Sequence, residues 1–187
     1  MSYGLTAYTL DRAMLARACG SGRELEREIL ADDASRIESL GRALDVDVGA
    51  ALRELLSGTA RGEGPVYAYA LELVCRRIGL PLRNAALYPV PLARLDTLDT
   101  VLAGAGFPIR FALARLALAG SPVPLPPRPD FPSVGWIDAS ATKAFAKQWR
   151  EAPVDHDDPW TTAALAEVAE WARTASAEGE GLIAFYY

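Results

Sequence analysis

One histidine, two cysteines and two methionines are all the imidazole and sulfur in 187 residues. His156 has no second histidine to pair with. A zinc-type ligand set or a Ser–His triad would therefore have to be assembled on that one ring. No Gly-x-Ser-x-Gly elbow, no Gly-Lys-Ser/Thr phosphate loop and no GxGxxG fingerprint occurs. Cys19 and Cys75 sit at apolar helical positions, as small buried hydrophobes do, and two such residues make no disulfide framework. Basic residues are also short: 19 Lys and Arg stand against 24 Asp and Glu, a net charge of −5 with no basic stripe. That argues against nucleic acid as a partner. The most apolar stretch, 101–120, is broken by Pro108, Arg110 and Arg115, so no membrane span is expected. The first ten residues lack a basic region followed by a long apolar run, so no signal peptide is read there and the expected location is the cytoplasm.

What is present belongs to a globular protein: 51% hydrophobic residues and 23% charged. A chain of this length buries roughly 70% of the surface it would expose unfolded. Alternation of Tyr3, Leu5 and Ala7 with Gly4, Thr6 and Tyr8 predicts a strand over 2–9. Asp11 caps a short helix over 12–18, and Gly20-Ser21-Gly22 ends it. Residues 24–44 form the longest helical stretch, with Asp32-Asp33 as the candidate break into two. Further helices are expected over 48–56, from Pro65 to Ile78, from Pro91 to about Gly104, and over 109–118.

Six prolines between Ser121 and Pro132 favour polyproline II and cannot join a sheet interior. We read this run as a surface strap, with Val123, Leu125 and Phe131 offering apolar groups to pack. The chain is then a single domain: a helical body over 11–120, the strap over 121–132, and a C-terminal unit over 133–187. That unit reads strand 134–137, a helix capped by Asp138 or Ser140, a helix opened by Asp158-Pro159, and a last strand 182–186. Without regular strand–helix–strand alternation the fold class is α+β, a mostly helical body with a small sheet formed by the N-terminal strand and the two C-terminal strands.

Three groups of residues are candidates for chemistry. The loop Asp155-His156-Asp157-Asp158 holds imidazole and carboxylates, but four consecutive residues rarely converge on one ion, and Asp158 reads first as a helix cap. The Gly-rich segments 20–22 and 58–64 read as turns. No metal and no cofactor is expected. The aromatics Tyr3, Tyr8, Trp136, Phe185, Tyr186 and Tyr187 fall on the three strands, where cross-strand packing competes with display of an outward face to a partner. Alternation should send some of the four tyrosines outward. A pocket between helices and sheet, lined by Tyr67, Tyr69, Trp136 and His156, is the rival arrangement.

The segments MSYGLTAYTLD, PVYAYALELVCRRIGLPL, PVPLPPRPDFPSVGWIDAS and EWARTASAEGEGLIAFYY together resemble an uncharacterised family of small bacterial α+β domains. The order GWIDAS, helix, helix, glycine, strand is similar, more remotely, to a second family of small bacterial proteins of unknown function. The resemblance implies one cytoplasmic domain and no known activity. The expected role is a non-catalytic protein-binding or regulatory module, for instance immunity- or antitoxin-like, with another protein as partner. The alternative is a small enzyme or ligand-binding protein. The candidate binding residues are Tyr3, Tyr8, Tyr67, Tyr69, Trp136, His156, Tyr186 and Tyr187.

Overall fold

The computed structural model describes residues 3–62, 64–126 and 132–187. Four antiparallel strands make one sheet in the order β2-β1-β4-β3. They are β1 (Leu5–Leu10), β2 (Leu80–Pro81), β3 (Ser133–Ile137) and β4 (Gly181–Tyr186). The N-terminal strand and both C-terminal strands thus share the sheet, with Tyr8 opposite Ile183 and Trp136 opposite the same residue from the other side. The fold is α+β. The two-residue strand β2 is an addition to expectation: it follows the helix ended at Gly79 and pairs Leu80 and Pro81 with Thr9 and Tyr8.

Period-two alternation divides the side chains between two helical layers. Leu5 and Ala7 of β1, Leu182, Ala184 and Tyr186 of β4, and Ile137 of β3 face one core. Over it lie α6 (Leu92–Gly104), α7 (Leu113–Leu118), α8 (Ala139–Glu151) and α9 (Pro159–Glu178). Tyr8, Leu10, Val134, Ile183 and Phe185 face the other core. Over that side lie α1 (Arg12–Ser21), α2 (Arg23–Asp32), α3 (Ala34–Leu44), α4 (Val48–Ser57) and α5 (Val66–Ile78). The layers cut across the division read from the sequence, because α6 and α7 pack with the C-terminal helices rather than with α1–α5.

Local chemistry accounts for the boundaries. Asp11, Asp47, Asp138 and Asp158 each accept a backbone N–H from the first turn of the helix they precede. The stretch 24–44 does break, at Asp33, so the longest helix is α9 rather than this one. The helix expected over 109–118 begins only at Leu113, since the Asp99 carboxylate takes the Leu113 and Ala114 N–H groups at 2.6 and 2.9 Å and fixes the start there. Of the strap, Val123 is buried and Leu125 packs against the α1–α5 core. Phe131, and Ser2 of the expected first strand, lie outside the described residues. At the far edge β3 runs under α7, so closely that a Cβ on Gly135 would stand 2.1 Å from the Leu116 carbonyl oxygen.

Candidate functional site

Helix α5 is buried along almost its whole first half, and in the run Val66–Cys75 the only charge is Glu72. Glu72 is 3% exposed. A carboxylate there requires donors, since an isolated buried charge is costly. Three meet it. Tyr8 of β1 donates its hydroxyl to Oε1 at 3.1 Å, Tyr187 donates its hydroxyl to Oε2, and the Arg36 guanidinium of α3 stands 3.5 Å from Oε2. One side chain thereby ties together α3, α5, β1 and the end of β4.

The cluster forms the floor of a cleft of about 460 Å³, walled by Thr6, Leu40, Tyr69, Arg76, Asn84 and Tyr88. Tyr69 packs its ring on Tyr187, with centroids 5.9 Å apart. Asn84 donates to the Leu5 carbonyl at 2.7 Å and so fixes the loop that carries Tyr88. Tyr88 lies so close over Gly4 that a Cβ on that glycine would meet its ring at 2.2 Å. Arg76 is 3.8 Å from Asp33, and both arginine side chains are about half exposed, so the rim is cationic, aromatic and wet.

The cluster holds two phenols on one carboxylate at the floor and places two half-exposed guanidinium groups at the rim. Burial first, then the charge of Glu72, raises the Tyr8 and Tyr187 phenols well above the ordinary tyrosine value. Near neutral pH both stay protonated and donate. Each Glu72 oxygen already accepts a phenol, Oε1 from Tyr8 and Oε2 from Tyr187. Among the described residues no group of three or more His, Cys, Asp or Glu is placed to hold a metal ion.

Of the residues expected to form a site, Tyr8, Tyr69 and Tyr187 meet here. Tyr3 and Tyr186 lie at the same end of the sheet, stacked with centroids 6.1 Å apart; Tyr3 is exposed and Tyr186 is buried, its hydroxyl on the Val90 carbonyl at 3.2 Å. The outward aromatic face is thus smaller than alternation alone implied, because helices cover both faces and bury Tyr8 and Tyr186. The rival pocket of Tyr67, Tyr69, Trp136 and His156 does not form. Tyr67 is buried and holds the Gly-rich loop, accepting from Gly62 N–H at 3.0 Å and donating to Glu54. Trp136 lies half-buried against the α1–α5 core. His156 is exposed before α9, in the opposite layer, where its Nδ1 accepts the Asp158 N–H at 3.0 Å. Asp158 meanwhile caps Thr161, as its position before a proline suggested. Glu72, Arg36, Arg76, Asn84 and Tyr88 were not among the expected site residues. The legible signal was the lone charge in an otherwise apolar and aromatic helix run.

A family model described as a domain of unknown function (DUF7691) matches residues 1–187. The chain belongs to this family. The DUF7691 match spans the strands, both helical layers and the Glu72 cluster, so the cleft lies within the family domain. No curated protein matches the chain, and no solved structure does. No helix among the described residues is long and apolar enough to cross a membrane.

Proposed function

We propose that this domain is a non-catalytic protein-binding module of the cytoplasm, and that its partner docks at the tyrosine-rich end of the sheet. The observation that carries the reading is the gathering of Tyr69, Tyr88, Tyr187, Arg36 and Arg76 around one cleft whose floor is already fixed by Glu72. Tyrosine and arginine are the residue types that dominate interface energetics, and a rigid floor reduces the ordering cost of binding. An immunity- or antitoxin-like protein is one concrete form.

The cleft volume also favours a second reading, a small-ligand protein, since about 460 Å³ falls within the range of ligand pockets. A photo-crosslinking residue in place of Tyr88, introduced in the native organism, separates the two. Capture of one protein that binds the purified domain, and binds it about 2 kcal/mol more weakly after Tyr69→Ala, supports the module. A small molecule retained in native mass spectrometry and released by Tyr69→Ala, with no protein adduct, supports the ligand reading instead.

A further inference from the structure

A second groove, of about 690 Å³, runs between α9 and the segment 80–86, on the other side of that segment from the tyrosine cleft. Its walls carry the indoles of Trp160 and Trp171 with Leu80, Leu82, Ala163 and Thr174. Both indole N–H groups are already used: Trp160 donates to the Ala86 carbonyl at 3.1 Å, and Trp171 to that of Arg83. Glu167 takes the Ala86 N–H on Oε2 at 2.7 Å. Its other oxygen, Oε1, is buried with no partner among the described residues. A carboxylate oxygen so placed gives up hydration and receives no donor in return.

The remaining charges make that oxygen distinct. Glu170, one turn on, is committed to Arg173 through two hydrogen bonds. Arg83, the cation on the rim, is exposed and does not reach Oε1. Arg94 lies 4.6 Å over the Trp160 ring while reaching Asp158 at 3.4 Å, so the chain already uses this indole as a platform for a guanidinium beside a carboxylate. We propose that the groove seats an arginine or lysine side chain of a partner polypeptide, its cation on Glu167 Oε1 between the indoles. A flanking apolar residue of that segment rests on Leu80, which is 51% exposed. Strand addition is not the mode of binding, because Pro81 on the β2 edge has no N–H to donate. This assignment is independent of the tyrosine-end reading.

The test follows the indole N–H signals of Trp160 and Trp171 by NMR of the full chain. Three probes are titrated: a blocked leucine–arginine–leucine tripeptide, its leucine–glutamine–leucine counterpart, and free argininamide. The arginine peptide should shift both signals at millimolar concentration, and the glutamine peptide should bind roughly tenfold more weakly or worse. Glu167→Gln keeps a carbonyl for the Ala86 N–H but turns the free oxygen into a donor. It should weaken the arginine peptide by about tenfold or more with little change in melting temperature. Ala163→Arg, at an exposed position on the same wall, should fill the groove and abolish binding with the fold intact. Equal affinity for the two peptides, undiminished binding by either variant, or no shift at the indoles overturns the proposal. Argininamide binding as tightly as the tripeptide overturns the polypeptide occupant.

Discussion

On the α1–α5 side of the sheet a carboxylate is buried and answered by two phenols and a guanidinium; on the α6–α9 side the equivalent depth is filled by rings. Phe111 stacks on Phe145 with centroids 3.9 Å apart, Phe107 stands 4.8 Å from the same ring, and Trp149 continues the stack at 6.0 Å. The ring side gains from area and shape, and tolerates no missing volume. The carboxylate side gains little net energy from its polar contacts but accepts only one arrangement of α3, α5, β1 and β4, since each donor must find its oxygen. The tyrosine-rich end proposed for partner docking lies over the second kind of interior, where position is most narrowly defined.

The largest effect should come from the ring side. Trp171→Ala removes a side chain that is 1% exposed and should cost on the order of 3–5 kcal/mol in a denaturant melt. A loss below about 1 kcal/mol would remove this indole from the core and the contrast with it. On the other side, Glu72→Leu leaves the Tyr8 and Tyr187 hydroxyls buried without their acceptor, at a cost of about 1–3 kcal/mol. Adding Tyr8→Phe and Tyr187→Phe to that variant should recover most of the loss, because no orphaned polar atom then remains. If the triple variant is no better than Glu72→Leu alone, the cluster does not work as one unit.

This asymmetry also explains what was legible in the chain. Strand β1 declared itself by its period-two pattern, and β3 and β4 as short apolar and aromatic runs, which a sheet covered on both faces requires. The caps at Asp11 and Asp158 were equally readable, and the one before α8 was narrowed to Asp138 or Ser140, since a short polar side chain before a helix does one local job. Strand β2 was not, being two residues long and half proline; only its pairing with Tyr8 and Thr9 makes it a strand. The start of α7 depended on Asp99, 14 residues away in sequence, which no local pattern reveals. Tyr8, Tyr69 and Tyr187 were singled out but not their common centre, because Glu72 gains its meaning only once the fold brings Tyr8 of β1 and Tyr187 to it. Trp160 and Glu167 of α9 gain their meaning only from the segment 80–86 packed against them, which no local pattern reveals.

Alkaline titration should test the carboxylate side next. Burial and Glu72 raise the Tyr8 and Tyr187 phenols in the folded state, so above about pH 10 the unfolded chain releases protons that the folded chain still holds. Their contribution is full below that pH and is lost progressively as the pH rises beyond it. The melting temperature should fall above about pH 10, and fall less steeply in the Tyr8→Phe/Tyr187→Phe variant. Identical slopes in both proteins would mean that these phenols titrate as freely in the fold as in the unfolded chain.

The smallest effects should be alike in the two layers, because a helix cap is local and does not depend on the core beneath it. Asp47 accepts the Ala50 N–H at 2.8 Å at the start of α4, and Asp138 accepts the Ala141 N–H at 2.9 Å at the start of α8. Replacing either by alanine should cost about 1 kcal/mol. Asp138 adds a pH signature. The Ser140 hydroxyl, then the Ala141 N–H, hold its carboxyl below the ordinary aspartate value. Its contribution is therefore present above the unfolded value of about 3.9 and fades as the pH falls below it. Asp138→Asn keeps a side-chain oxygen for the Ala141 N–H but cannot ionise. It should be less stable than the parent near neutral pH, with the difference narrowing in acid. A difference that persists unchanged to low pH would show that this cap works by shape alone and that the Asp138 charge contributes nothing.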